Sequence, residues 1–119
     1  VILVLAWPGA EAPKPRLRGP SASADRVEIA MVADLDEGNT VEVGGKTAWR
    51  SVIQRATLVK QGEAWTVEWG EASDVTSKHN EGGRGLELSE LVDWDGELFA
   101  VDDRTGIIFG VRELNRVVP

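Results

Sequence analysis

The sequence predicts an all-β protein in which short antiparallel strands follow one another through tight turns. Helical periodicity is weak along the whole chain, and apolar segments are separated by polar or Gly-rich breaks. Asp95-Gly96 favours a type I′ hairpin, because both central residues of that turn need positive φ. The "DRTG" stretch at residues 103–106 has the composition of a second turn.

Two of the predicted strands are apolar on both faces. Residues 98–101 ("LFAV") and 107–109 ("IIF") are apolar without a break, whereas a half-exposed antiparallel strand should alternate. Strands of this kind indicate sheets stacked face to face, as in β-propeller blades and, less fully, in β-sandwiches. About two blades fit in 119 residues, and a propeller needs at least four, so we expect the chain to be part of a longer protein.

The first 25 residues differ from the rest of the chain. Residues 1–7 ("VILVLAW") are apolar but too short to span a bilayer. They are either the end of a signal peptide or membrane anchor whose start is missing, or an apolar end or buried strand. Residues 8–25 hold four prolines and many small residues, which is typical of a flexible linker. We therefore expect residues 1–25 to be disordered and the ordered domain to span residues 26–119.

Within that domain the predicted strands follow in order. Residues 26–36 predict a strand that ends in acids, and residues 55–69 predict a hairpin around "KQGE". Residues 38–49 are Gly-rich and ambiguous, and residues 70–85 are polar and loop-like. Four short strands are expected after them, in "LELSELVDW", "ELFAVDD", "GIIFGV" and "RVVP".

The excess of acidic side chains limits the classes of partner. The chain has 20 Asp and Glu against 13 Lys and Arg, a net charge of −7, and no dense basic cluster, which makes nucleic acid a poor partner. The absence of cysteine excludes disulfides, thiolate catalysis and Cys-based zinc sites. A single histidine cannot form a His-rich metal site. Abundant carboxylate oxygens suit a hard cation such as calcium.

Two familiar loop motifs are rejected. "GGKT" at residues 44–47 lacks the glycine that a P-loop requires, since Thr40 stands at that position. "DLDEGN" at residues 34–39 begins like a calcium loop. An EF-hand, however, needs Gly at its sixth and Glu at its twelfth position, where this chain has Asn39 and Gly45.

The remaining candidates for chemistry are polar residues at strand ends and in Gly-rich loops. Asp34 is a strand-end carboxylate. "GGRG" would let the backbone approach a ligand closely and aim Arg84 at it, and a guanidinium suits the oxygens of a phosphate. Strand alternation would place Glu87, Ser89 and Leu91 on one side. The structural alternatives are a solvated acid, an ordinary loop, an edge strand with a polar face, and an Arg104 that merely pairs with Asp102.

Three blocks in this order resemble the calcium-activated nucleotidase (apyrase) family: "ADLD" at residues 33–36, "GRGLELSEL" at 83–91 and "DDRTG" at 102–106. The resemblance covers residues 26–118. It implies a five-bladed β-propeller, of which this chain supplies roughly the first one to two blades. It also implies calcium-dependent hydrolysis of nucleoside di- and triphosphates, with GDP and UDP preferred, to nucleoside monophosphate and phosphate. The location implied is the secretory pathway, as a secreted or an endoplasmic reticulum or Golgi luminal protein.

The resemblance also implies roles for individual residues. Asp34 and Asp103 match acids that the family needs for activity, and Ser89 matches a calcium ligand of the central tunnel. Arg84, Glu87 and Arg104 fall in the stretches expected to bind the nucleotide. The family's other calcium ligands belong to later blades, so we expect this fragment alone to be inactive. The alternative is an inactive truncated β module with weak or no calcium binding.

Overall fold

A computed structural model describes residues 5–7 and 25–119, and two antiparallel β-sheets form this part of the chain. The strands are β1 (Leu5–Trp7), β2 (Arg26–Ala33), β3 (Thr40–Val43), β4 (Lys46–Gln61), β5 (Ala64–Ser77), β6 (Leu88–Trp94), β7 (Glu97–Asp102), β8 (Ile108–Arg112) and β9 (Arg116–Val118). The prediction of an all-β protein is confirmed. Among the described residues there is no helix of the length and apolarity needed to cross a membrane.

The first sheet is organised by β4, a strand of 16 residues. Its first residues pair with β3, its later residues pair with β2, and β5 runs along its opposite edge. Strands β2 and β3 therefore lie end to end on one edge of β4, and the loop of residues 34–39 leaves the sheet between them. The backbone N–H of Arg50 donates to Asn39, and the Ser51 hydroxyl donates to the carbonyl of Ala33, which ties both ends of this loop to β4.

Left-handed turn residues explain the hairpins. Asp95 and Gly96 have φ of 51° and 80°, as the predicted type I′ turn between β6 and β7 requires. Gly44 and Gly45, in the segment that was ambiguous from the sequence, have φ of 58° and 73° and join β3 to β4 in the same way. The hairpin predicted around "KQGE" is confirmed as the β4–β5 hairpin.

The prediction of a loop over residues 70–85 is wrong for its first half, because β5 continues to Ser77. The long β4 supplies backbone partners as far as Trp49, which pairs with Ser77. Side chains at this end of β5 are polar, and Val75 is its only buried side chain, so no apolar alternation marked the strand in the sequence.

The second sheet has the sequential order β6-β7-β8-β9. A four-stranded antiparallel sheet of this kind is the arrangement of a propeller blade, and the propeller as a whole stays a prediction. The turn predicted at "DRTG" joins β7 to β8, where the N–H of Gly106 donates to the carbonyl of Asp102 at 2.8 Å.

The two sheets pack face to face around one apolar cluster. Val32, Ile53 and Val75 come from the first sheet, and Leu91 and Phe109 come from the second. Their relative exposure is between 0 and 1 %. The predicted stacking of sheets is thus observed on one face of each sheet.

Burial on both faces is not observed for β7 and β8, the two strands predicted to have it, although β2 is buried on both faces at residues 29–32. On the second sheet Phe99 and Val101 are half-buried, and Ile108 is 61 % exposed. Strand β1 pairs with β2, so residues 5–7 form a strand, and a strand was one of the alternatives given for the apolar start of the chain. The linker predicted for residues 8–25 lies, apart from Asp25, outside the described residues.

We expect Val75→Ala to lower the free energy of unfolding of the full-length protein by about 2–3 kcal/mol, because it removes buried methyl groups between the sheets. Val67→Ala is the same substitution on the same strand at a site that is 43 % exposed, and should cost less than about 1 kcal/mol. Urea unfolding followed by circular dichroism measures both. Equal losses at the two positions would contradict this placement of the core.

Candidate functional site

The polar residues singled out in the sequence come together where three connections meet. These are the β2–β3 loop at residues 34–39, the loop at residues 78–87 that leads into β6, and the β7–β8 turn. Asp34 follows directly on the last residue of β2, as the sequence predicted. The site therefore takes side chains from both sheets.

Three carboxylates form the centre of the site. Asp34, Asp36 and Glu87 each offer a carboxylate oxygen within 4.8 Å of the others, and we call these three residues the acid cluster. Asp36 was missed by sequence reasoning, although the spacing Asp-x-Asp at the end of β2 was visible in "ADLD". The clustering follows from the fold, because the β2–β3 loop and the loop before β6 belong to different sheets that meet here.

Arg84 holds the acid cluster together electrostatically. Its Nε donates to Glu87 Oε1 at 2.7 Å and its Nη2 donates to Glu87 Oε2 at 2.8 Å, a bidentate pair. Nη2 also donates to Asp36 Oδ1 at 3.3 Å. The hydrogen bonds to Glu87, followed by the charge of that carboxylate, raise the pKa of Arg84. No acceptor for Nη1 lies within hydrogen-bond distance among the described residues, so this edge of the guanidinium is open.

Asp34 is the carboxylate with the most perturbed surroundings in the site. Its Oδ1 is buried and has no hydrogen-bond partner among the described residues. Burial raises the pKa of Asp34, and the negative charges of Asp103, Asp36 and Glu87 raise it further. An unpaired carboxylate oxygen in such a place is suited to accept a proton or to bind a cation.

Asp103 lies at the edge of the acid cluster. Its backbone N–H donates to the carbonyl of Glu87 at 3.1 Å, and the charge of its exposed carboxylate acts on both Asp34 and Arg84. The structure thus brings Asp34, Asp103, Arg84 and Glu87 into one neighbourhood.

The glycines around Arg84 shape the loop against the chain itself. Gly82 and Gly83 have positive φ and form a tight turn that is closed by the backbone bridge between Glu81 and Arg84. A Cβ atom at Gly85 would overlap the carbonyl oxygen of His79. The close approach predicted for "GGRG" is thus, at Gly85, an approach to the protein's own backbone.

Two side chains of the first sheet fix this loop in place. Trp49 Nε1 donates to the carbonyl of Gly83 at 3.0 Å, and Asn39 Nδ2 donates to that of Gly85 at 2.9 Å. Asn39 directly precedes β3, and Trp49 pairs with the first residue of β3, so both lie at the open end of the β3–β4 hairpin. The loop that carries Arg84 is therefore tied to the first sheet, from which the loop of Asp34 leaves.

Arg104 lies against the tip of the same loop. Its Nε donates to the carbonyl of Glu81 at 3.3 Å and lies 3.6 Å from that residue's carboxylate. The alternative that Arg104 pairs with Asp102 through its guanidinium is wrong, because it is the backbone N–H of Arg104 that donates to Asp102. The fully buried Asp102 carboxylate also accepts from Leu86, Glu87 and Thr105.

Ser89 occupies a β-bulge. Leu88 pairs with Asp102 and Glu90 with Val101, so Ser89 is the extra residue of β6. The bulge also makes the predicted alternation wrong, since Leu88 and Leu91 are both fully buried in the core. The Ser89 side chain is half-buried, and its hydroxyl makes no hydrogen bond within the described part of the chain.

The acid cluster fits a hard cation in the chemistry of its donors. Carboxylate oxygens are the ligands that calcium prefers, and Asp34 Oδ1 is a buried oxygen with no other partner among the described residues. Both oxygens of Glu87 already accept from Arg84, and calcium takes six to eight oxygens, so the three residues supply only part of a coordination shell.

Comparison with known proteins supports one family. The family model described as apyrase matches residues 36–119, a range that includes Asp36, Arg84, Glu87, Ser89 and Asp103. Soluble calcium-activated nucleotidase 1 of Rattus norvegicus is 39 % identical over 97 residues, which are 79 % of this chain and 23 % of that protein. An apyrase of Cimex lectularius is 38 % identical over 98 residues, which are 79 % of this chain and 26 % of that protein. The chain thus spans about a quarter of the length of these relatives.

We expect Asp34→Asn to stabilise the fold at neutral pH when a chelator keeps cations away. A folded-state pKa above the ordinary value means that Asp34 costs no stability while it is protonated. The loss of stability grows as the pH rises from the ordinary pKa of an aspartate to the raised pKa of Asp34, and above the raised pKa it stays constant. The melting temperature of the variant relative to wild type should therefore rise between acidic and neutral pH.

The matched control is Asp74→Asn, which removes an exposed carboxylate of β5 that pairs with Arg50. Its effect should stay within about 0.5 kcal/mol. An Asp34→Asn protein that melts below wild type at neutral pH would refute the description of Asp34 as a desolvated, repelled acid.

Proposed function

The chain belongs to the apyrase family, and on that premise we propose that its full-length protein hydrolyses nucleoside di- and triphosphates with the help of calcium. The products are phosphate and nucleoside monophosphate, and GDP and UDP are the preferred substrates. The observation that carries the proposal is the acid cluster beside Arg84, which combines a cation-binding donor set with an anion-binding guanidinium.

Arg84 is the residue proposed to bind a phosphoryl group. Its Nε and Nη2 are fixed by Glu87 and Asp36, while Nη1 has no acceptor among the described residues. A guanidinium that is held on one side and open on the other presents its donor in a fixed direction, with little freedom left to lose on binding. The side chain is 47 % exposed, which leaves it accessible to a ligand.

Asp36 and Glu87 are the residues proposed to hold calcium in this part of the protein, beside Asp34, whose role is proposed to be acid–base chemistry. Ser89 is retained as a further candidate ligand on the family resemblance, and its unpartnered hydroxyl supports that role. Calcium bound in the site would neutralise phosphate oxygens and polarise the phosphoryl group.

Asp34 is the better candidate for the base, and Asp103 assists it. A general base works best when its pKa lies near the working pH, and in the metal-free site burial, followed by the charge of Asp103, moves the pKa of Asp34 in that direction. Asp34 accepts a proton from the attacking water while the oxygen of that water forms a bond to the terminal phosphorus. The bond from that phosphorus to the bridging oxygen then breaks, and the electron pair leaves with the shortened nucleotide.

The remaining proposals concern partners and location. The net charge of −7 argues against nucleic acid as a partner. The name of the Rattus norvegicus relative describes a soluble protein that calcium activates. On the family resemblance, we propose that this protein acts in the secretory pathway, secreted or in a lumen. A membrane anchor upstream of residue 1 stays a prediction.

Phosphate release from GDP, UDP, ADP and ATP tests the function. The full-length protein is assayed with calcium and, in parallel, with a chelator. Release that needs calcium and is fastest with GDP and UDP is the expected result. A folded protein that releases no phosphate from any of the four would favour the alternative of an inactive β module.

We expect Arg84→Lys to lower kcat/KM for GDP by about 10- to 100-fold, because a hydrogen bond to a charged group contributes about 1.5–3 kcal/mol. Lysine keeps the charge but cannot hold Glu87 through two nitrogens while it presents a third donor. Arg50→Lys, in an exposed pair with Asp74 on the first sheet, is the control and should keep wild-type kinetics. Equal kinetics in the two variants would remove Arg84 from the substrate site.

We expect Asp103→Asn to lower kcat by roughly 100-fold, the low end of the range for acid–base catalysis. Asparagine tolerates the same turn geometry but carries no charge. Because the charge of Asp103 raises the pKa of Asp34, the acid limb of the kcat/KM profile should also move to lower pH. A folded variant within about threefold of wild type, far below that range, and with an unmoved acid limb would leave Asp103 only a structural role.

A further inference from the structure

We infer that Asp102 is a positioning residue for the candidate site: its buried carboxylate holds the backbone that carries Glu87 and Asp103, and so sets where their side chains lie. The inference rests on the proposed function, because its importance is for the reaction proposed there. Asp102 does not itself face the acid cluster, since its side chain is fully buried between the loop before β6 and the β7–β8 turn.

Five donors surround this one carboxylate. Oδ2 accepts the backbone N–H of Leu86 at 2.9 Å and the hydroxyl of Thr105 at 2.7 Å. Oδ1 accepts the backbone N–H groups of Glu87 at 3.2 Å, Arg104 at 3.1 Å and Thr105 at 3.4 Å. Two of these residues precede β6 and two follow β7, so the carboxylate joins two segments that are 15 or more residues apart in the chain.

The bonds of Asp102 fix Glu87 relative to Asp103. The N–H of Glu87 is held by the Asp102 carboxylate, and the carbonyl of Glu87 accepts from the N–H of Asp103 at 3.1 Å. The backbone N–H and the backbone carbonyl of Glu87 are therefore both bound to the segment that carries Asp103. The direction of the Glu87 side chain, and with it the guanidinium of Arg84, depends on this arrangement.

Backbone strain makes the arrangement sensitive. Leu86 has φ of 53°, a left-handed conformation that a branched side chain rarely adopts, and its side chain is fully buried in the core. Such a conformation persists only where the surroundings enforce it. The Asp102 Oδ2 bond to the Leu86 N–H is a direct restraint, so its loss should let Leu86 relax and turn the following residue, Glu87.

A carboxylate is required because an amide cannot serve the same donors. Asparagine has one acceptor oxygen and one NH₂ group. If its NH₂ takes the place of Oδ2, the Thr105 hydroxyl can rotate to accept, but the Leu86 N–H then faces a donor. If it takes the place of Oδ1, three backbone N–H groups face a donor. Asp102→Asn therefore breaks the restraint with almost no change of volume.

The test compares Asp102→Asn with Asp93→Asn in the full-length protein. Asp93 is a matched control, because its carboxylate also accepts a turn N–H, that of Gly96, at the other end of the same sheet. The first readout is kcat for GDP with calcium, at a temperature where circular dichroism shows both variants folded. The second is the NMR signal of the Arg84 Nε–H, assigned with Arg84→Lys, which reports the bond to Glu87 without any turnover.

We expect Asp102→Asn to lower kcat by about 10- to 100-fold, as a misplaced catalytic group does, and to shift the Arg84 Nε–H signal. Asp93→Asn should change neither. A role in stability alone would lower the melting temperature of Asp102→Asn and leave kcat and the signal of the folded protein unchanged, which would overturn the inference. Equal losses in both variants would overturn it as well.

Thr105 keeps the test decisive if Asp102→Asn does not fold. Thr105→Val removes one of the five donors, and Thr105→Ser retains it, so the valine variant should lose activity and shift the Arg84 signal while the serine variant keeps both near wild type. Identical behaviour of these two would overturn the inference. A wild-type protein without nucleotide hydrolysis would overturn the proposed function together with it, whereas an active wild type with unaffected variants overturns the positioning role alone.

Discussion

The apolar layer between the two sheets is the contact on which the candidate site depends. Asp34 and Asp36 lie in a loop of the first sheet, Asp103 lies in a turn of the second, and Arg84 and Glu87 lie in the loop that leads from one sheet to the other, so the site exists only while the two sheets keep their packing. Buried Ile53 and Phe109 pack in that layer. Because close-packed interiors resist deformation, a layer of this kind fixes the loops at its edge to within small shifts. The hydrogen bonds from Asn39 and Trp49 to the loop around Arg84 add a polar link at the same edge.

The site is built at a cost to stability. Negative charges crowd around Asp34, one of its oxygens is buried without a partner among the described residues, and its pKa is raised as a result. A fold selected only for stability would replace such a carboxylate or pair it, since an unpaired buried charge is expensive. Leu86 adds a strained backbone next to Glu87. Strain and perturbed acids in the same loops are typical of functional sites.

Local sequence signals predicted the hairpins and the all-β class, because turns and strands depend on nearby residues, whereas a common site for Asp34, Arg84 and Glu87 was implied only by the family resemblance. Features that depend on pairing partners were missed. The continuation of β5 needed the length of β4, and the bulge at Ser89 needed the register against β7. Asp102 looked like an ordinary turn residue in "DDRTG", since the donors that surround it include Leu86 and Glu87, far away in the chain. Asp36 became a member of the acid cluster only through the meeting of two sheets.

The charges of the site connect the proposed binding of a cation with the proposed binding of a phosphoryl group. The carboxylates of Asp34, Asp36, Glu87 and Asp103 lie near the guanidinium of Arg84, and those of Asp36 and Glu87 already use its donors. Such a group repels a polyphosphate, because like charges disfavour each other most where water is partly excluded. Arg84 alone therefore cannot make the site attractive to a nucleotide. A divalent cation held by the acid cluster would cancel most of this negative charge and leave the open edge of Arg84 for a phosphoryl oxygen. On this argument nucleotide binding and cation binding are coupled, and each should strengthen the other.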